Sequence, residues 1–140
     1  MVGVVVVTHG KLGEELLATA HGIVGELPAA RAVAVSAEQS MEEARMSLGQ
    51  AIAELDQGQG VLVLTDMFGG TPANLALTFL DQHKVEVVTG VNLPMLLKLS
   101  TVREGASQVS EIAQLITGYG QKNIVFASEL LGTRRESARR

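Results

Sequence analysis

His9 and Asp66 are the residues around which this 140-residue chain could build chemistry. Each closes a similar run: Val4-Val5-Val6-Val7-Thr8-His9 and Val61-Leu62-Val63-Leu64-Thr65-Asp66. A carboxylate beside an imidazole accepts the proton of one ring nitrogen and fixes the tautomer. The other nitrogen keeps an outward lone pair and can act as nucleophile, base or metal ligand. Asp66 is followed by Met67-Phe68-Gly69-Gly70-Thr71-Pro72. The glycines permit tight turns, Thr71 reads as an N-cap and Pro72 as the first helical residue. A helix start presents unpaired N–H groups and attracts anions, phosphate above all. A directed imidazole, a carboxylate to orient it and an anion cradle are what a phosphohistidine site requires. Taken singly, His9 also fits a hydrogen-bonded turn histidine, Asp66 a loop cap, and Gly69 to Pro72 a well-capped helix start. Their joint placement favours a site. His21 and His83 have no such company and read as structural or exposed.

That joint placement rests on the elements. Val2 to Thr8 is continuously apolar and β-branched, the mark of a strand buried on both faces. Leu12, Leu16, Leu17, Ala20, Ile23 and Val24 then share one helical face. Arg31 to Val35 reads as a second strand. Ser40-x-x-Glu43 matches a capping box and opens a helix with Met41, Ala44, Leu48, Ile52 and Leu55 on its apolar stripe. Val61 to Thr65 is a third strand, and a helix runs from Thr71-Pro72 to about Gln82. Val85 to Thr89 is a fourth strand. Pro94 to Ser100 is helical, and Val109, Ile112, Ala113 and Ile116 mark another helix. Gly118-Tyr119-Gly120 reads as a turn that could release a short last strand, Ile124 to Phe126.

Apolar strands alternating with amphipathic helices predict an α/β fold with one open, mainly parallel sheet and helices on both faces. Right-handed crossovers in a chain of this size predict the strand order 2-1-3-4. The functional crevice of such a sheet opens at the carboxyl ends of strands 1 and 3, where the order reverses. His9 and Asp66 stand there at matching heights.

Composition narrows the class. Hydrophobic residues make up 46% and charged residues 19%, as in a globular domain. The formal charge of −4 and the absence of a basic face argue against nucleic acid as a partner. With no cysteine the chain has no disulfides and no thiolate chemistry, which fits the cytoplasm. No apolar run approaches the roughly 20 residues of a membrane span, and the start lacks the pattern of a secretory signal. His9 and Asp66 alone are too few ligands for a metal site, and no cofactor is expected. Residues 127–140, with four arginines in TRRESARR, read as a flexible extension of a domain spanning 1–126.

At VTHGKLGEELL around His9, VLVLTDMFGGTPANLA around Asp66 and GVNLPMLL from Gly90 to Leu97, the sequence resembles the IIA domain of the mannose family of the bacterial phosphotransferase system. The resemblance covers roughly residues 1–126. It implies that His9 accepts a phosphoryl group from phosphorylated HPr and passes it to a histidine of a IIB domain, which phosphorylates a sugar entering through membrane IIC and IID components. It implies that Asp66 hydrogen-bonds His9 and leaves Nε2 as the attacking atom, and that Thr71 holds phosphoryl oxygens, with Phe68, Gly69 and Gly70 completing the cradle. Gly90 to Pro94 matches a turn beside the site and takes a shaping role. The resemblance further implies a homodimer that exchanges its last strand. The helix after Pro72, apolar on two sides, hints at the same.

Rival readings keep the phosphohistidine without the sugar, as a regulatory relay or as the phosphohistidine subunit of a dihydroxyacetone kinase. A flavodoxin-like ligand-binding module would fit the fold, but the chain lacks G-x-x-x-x-G-K-[ST] and G-x-G-x-x-G and has few aromatics. A receiver domain phosphorylated on Asp66 would want an acidic pair near the end of strand 1, where Thr8-His9-Gly10 stands.

Overall fold

The computed structural model describes residues 1–82, 84–105 and 108–132. His83 therefore lies outside the described residues, as does the arginine-rich end from 133 onward. The chain runs β1 (Gly3–His9), α1 (Leu12–Val24), β2 (Ala30–Val35), α2 (Met41–Leu55), β3 (Val61–Thr65), α3 (Thr71–Leu77), β4 (Val85–Thr89), α4 (Leu93–Val102) and α5 (Val109–Lys122). A short helical segment follows at 127–132. The four strands form one sheet in the order β2-β1-β3-β4, every neighbouring pair parallel. This is the order that right-handed crossovers predicted.

Side-chain alternation along β1 divides the core. Val4 and Val6 pack with Leu17 and Ala20 of α1, Leu96 and Leu99 of α4, and Ile112 and Ile116 of α5. Val5 and Val7 pack on the opposite face with Leu48 and Ile52 of α2 and Leu75 and Ala76 of α3. Each fully buried valine contributes about 1.5–3 kcal/mol relative to an exposed one. The strand that ends in His9 is thereby one of the most firmly held parts of the molecule.

Several expected details shift. Ser40 caps α2, its side chain accepting the Glu43 N–H at 3.1 Å, but the return bond from the Glu43 side chain that would complete the expected capping box is not formed. On α1 only Leu17 and Ala20 of the apolar face are buried and Leu16 is half-buried; Leu12, Ile23 and Val24 are exposed, because the sheet covers a narrower stripe than the sequence offers. Met41 of α2 is likewise exposed. α3 stops at Leu77 rather than near Gln82, where the Thr78 hydroxyl donates to the Leu75 carbonyl and the chain tightens into turns. Gly118-Tyr119-Gly120 is not a turn but part of α5. A Cβ on Gly120 would stand 2.8 Å from Met95 Cγ, so this glycine lets α5 lie close against α4. Ile124 to Phe126 forms no strand, and all three residues are exposed: within the described residues no sheet edge pairs with them.

At the amino ends of the strands, Arg103 is 2% exposed and its Nη1 donates to the carbonyls of Val2 at 3.1 Å and Ala29 at 3.4 Å. Burial pushes its guanidinium below the usual arginine range. It fastens the end of α4 under β1.

Candidate functional site

β1 delivers His9 at its last position, and Asp66 is the first residue beyond β3. Although 57 positions apart in sequence, the two are in direct contact: His9 Nδ1 lies 2.8 Å from Asp66 Oδ2. The backbone N–H of His9 donates to the same oxygen at 3.0 Å, and Asp66 Oδ1 accepts the Met67 N–H at 3.1 Å. The imidazole is half exposed and the carboxylate only 12% exposed. An ionised carboxylate can only accept, so Nδ1 carries a proton, and in the neutral tautomer this selects, Nε2 holds the lone pair. Partial burial by itself raises the Asp66 carboxyl, but the hydrogen bonds from the His9 ring and backbone outweigh it and hold the group below the ordinary carboxylate range.

Nε2 faces the turn after β3. A Cβ on Gly70 would stand 3.0 Å from His9 Cε1 and 3.2 Å from Nε2, so only glycine leaves the ring its place. Gly69 and Gly70 both take positive φ, 87° and 83°. Gly70, not Thr71, is the N-cap of α3; Thr71 is the first helical residue and Pro72 stands at the start of the helix. The two left-handed glycines carry the chain one residue further before the helix begins. The Thr71 hydroxyl consequently makes no capping bond. Phe68 is 79% exposed, so its ring belongs to the surface and only its backbone could contribute to a cradle.

The turn after β4 braces this arrangement. The N–H groups of Gly90 and Val91 both donate to the Thr65 carbonyl at 2.9 Å, directly before Asp66. Asn92 caps α4 by accepting the Met95 N–H at 3.1 Å, and its Nδ2 donates to the Gly120 carbonyl at 3.2 Å. A cavity of about 290 Å³ opens beside the imidazole between α2 and α3, lined by His9, Val35, Ser36, Ser40, Met41 and Thr71 among others. A larger cavity of about 390 Å³, lined by Gln59, Lys84 and Gln108, borders the amino ends of β3 and β4 and holds no directed imidazole. His21 is half-buried on α1, far along the helix from the site, with its Nε2 buried and unpartnered. Among the described residues no cluster of three or more metal-ligating side chains occurs, and no helix is long and apolar enough to cross a membrane.

Comparison with known proteins gives the arrangement a family. The profile described as "PTS system fructose IIA component" matches residues 3–132. The chain belongs to the mannose–fructose IIA family of the phosphotransferase system. It is 31% identical over 124 residues to the mannose-specific EIIAB component of Escherichia coli K12, a match covering 88% of this chain but 38% of that protein. It is 28% identical over 132 residues to the fructose-specific EIIA component of Bacillus subtilis, covering 94% of this chain and 90% of that one. Among solved structures, the mannose/sorbose-specific IIA subunit from Enterococcus faecalis superposes with a TM-score of 0.79 at 32% identity, covering 89% of this chain and 92% of that one. The chain thus spans well under half the length of the mannose-specific EIIAB relative and nearly the whole of the fructose-specific EIIA relative.

Two features of this arrangement are not visible in the sequence. The buried hydroxyls of Thr8 and Thr65 read only as strand formers in valine runs. The brace from Gly90 and Val91 to Thr65 depends on β4 lying beside β3, which spacing alone does not convey.

Proposed function

We propose that His9 accepts a phosphoryl group on Nε2 from phosphorylated HPr and passes it to a histidine of a IIB domain, for sugar uptake and phosphorylation through membrane IIC and IID components. The observation that supports this reading is the 2.8 Å contact between His9 Nδ1 and Asp66, which selects the tautomer with the lone pair on Nε2, beside Gly70. The Nε2 lone pair attacks phosphorus, the donor's P–N bond breaks, and that electron pair returns to the donor imidazole. The ring, now substituted at Nε2 and still protonated at Nδ1, carries a positive charge that the Asp66 carboxylate compensates. Transfer onward runs the same steps in reverse toward the IIB histidine. Such exchanges depend on positioning and charge stabilisation rather than on covalent work by other groups. The backbone of Phe68, Gly69 and Gly70 and the uncommitted Thr71 hydroxyl are the groups assigned to the phosphoryl oxygens. The relay operates in the cytoplasm, in a homodimer, from a domain spanning 1–126.

The test is phosphotransfer. Incubation with phosphoenolpyruvate, enzyme I and HPr should place an acid-labile, base-stable phosphate on the peptide containing His9. The His9→Ala variant should still unfold cooperatively, with a transition lowered only by the lost ring contact to Asp66, and take up no phosphate. An unlabelled parent protein with active carriers, or a variant that still labels fully, would overturn the assignment.

A further inference from the structure

Thr8 is the one polar side chain within the buried run of β1 and is wholly inaccessible to solvent. Valine would fill the same space, so the hydroxyl must be satisfied in place. It is: Oγ1 accepts the backbone N–H of Gly13 at 2.8 Å and reaches the Gly10 carbonyl at 3.5 Å. Gly13 is the second residue of α1, whose own N-cap, Lys11, makes no side-chain cap. The acceptor that an N-cap serine or aspartate would supply comes instead from the strand, one residue before His9.

The turn that carries His9 is tied at three points. The His9 N–H goes to Asp66 beyond β3, the Gly10 N–H goes to the Val35 carbonyl of β2 at 2.9 Å, and the start of α1 goes to Thr8 of β1. The third tie needs a close approach. A Cβ on Gly13 would stand 3.0 Å from the Val6 carbonyl oxygen and 3.2 Å from Thr8 Oγ1. The hydroxyl's reach to a carbonyl two residues on, though not its bond to a helix N–H, repeats at β3, where Thr65, also wholly buried, donates to the Met67 carbonyl at 3.3 Å across Asp66.

We propose that Thr8, with Gly13 as its partner, is a positioning residue for His9: its buried hydroxyl locks the strand-to-helix turn that aims the imidazole at Asp66 and at the incoming phosphoryl group. This rests on the reading of His9 as the phosphoryl acceptor. Thr8 touches no reacting atom and acts through the backbone of residues 9–13.

The experiment compares Thr8→Val, Thr8→Ser and Gly13→Ala in the full chain by two readouts: the rate of His9 phosphorylation by phosphorylated HPr, and the imidazole nitrogen NMR signals of His9. Misplacement of a reacting group by a fraction of an ångström to one ångström slows transfer by about tenfold to a hundredfold. Thr8→Val and Gly13→Ala should show that loss with a shifted Nδ1 signal, and Thr8→Ser, which keeps the hydroxyl, should stay within about threefold of the parent. Gly13→Ala carries the test if Thr8→Val fails to fold, since it separates helix from strand without removing the hydroxyl. Parent-like rates and Nδ1 signals in the two disrupting variants, or a Thr8→Ser protein as slow as Thr8→Val, would overturn the proposal. If the parent protein takes no phosphate from HPr, the acceptor reading fails; the Nδ1 signal, which needs no phosphate, then decides the positioning role by itself.

Discussion

One oxygen of Asp66 receives two hydrogen bonds from the same residue, from the backbone N–H of His9 at 3.0 Å and from its ring at 2.8 Å. The pair closes a small ring of contacts that fixes both the histidine backbone and its imidazole. Asp66→Asn keeps the size of the side chain but removes the charge that compensates a phosphorylated imidazole. Its transfer rate should fall by about tenfold to a hundredfold while the endpoint of labelling on His9 stays the same. A time course of phosphate uptake checks this. Parent-like rates would reduce Asp66 to a loop cap.

The same contact sets a pH dependence. The Asp66 carboxyl lies below its ordinary 3.8 in the folded protein, so the folded state binds its proton less readily than the unfolded chain does. The stabilisation from this contact is fully present above that ordinary value and is lost as pH falls through the depressed folded value. The Tm difference between the parent and Asp66→Asn should therefore be largest above about pH 5 and should close as the solution is acidified toward pH 2. A difference independent of pH over that window would contradict it.

Gly69 and Gly70 separate backbone from contact. Both have positive φ, yet an added Cβ meets nothing within 4 Å at Gly69 and meets the His9 ring at Gly70. Alanine at either position should cost about 1–3 kcal/mol of stability from backbone strain alone. Gly70→Ala should in addition displace the imidazole and depress phosphate transfer at least tenfold beyond Gly69→Ala. Denaturant titration and the transfer assay, run on both, read the two effects apart.

Asn92 joins two helices. Asn92→Ala removes a cap from α4 and leaves the Gly120 carbonyl of α5 without its donor, which should lower stability by about 1–2 kcal/mol. The ties from Gly90 and Val91 to Thr65 are made by backbone and survive, so the transfer rate should stay within about threefold of the parent. Urea unfolding and the transfer assay check both halves.

Ile124, Val125 and Phe126 are 77%, 57% and 68% exposed among the described residues, a run of apolar surface. Burial of such a side chain contributes about 1.5–3 kcal/mol. If these residues complete a homodimer, Phe126→Asp should weaken dimerisation at least tenfold and leave the monomer's helical signal unchanged. Sedimentation equilibrium across a concentration series measures this, and a parent protein that sediments as a monomer would refute the dimer.

The sheet was legible because its strands are unbroken apolar runs, and the site because the strand order puts the ends of two of them together. Where the reading failed, a local pattern was overruled by a neighbour it could not see. The apolar spacing of Leu77 and Leu80 continues a helix that Thr78 ends. Gly118 and Gly120 look like a turn until Met95 is known to press against Gly120. Leu12 and Ile23 carry a core-like spacing but outrun the sheet that would cover them. Ile124 to Phe126 has the composition of a strand, but a strand also needs an edge to pair with.

The alternation along β1 makes the count of residues before His9 a matter of parity. Even positions face α1 and odd positions face α2 and α3, which sends the Thr8 hydroxyl to Gly13 and the His9 ring over Gly70. A single residue inserted between Gly3 and Thr8, with the pairing at the strand's start unchanged, would exchange the two faces and turn the imidazole against the start of α1. Two inserted residues would restore the facing. Length variation in this strand is thus permitted only in steps of two, a constraint that a loop carrying the same histidine would not impose.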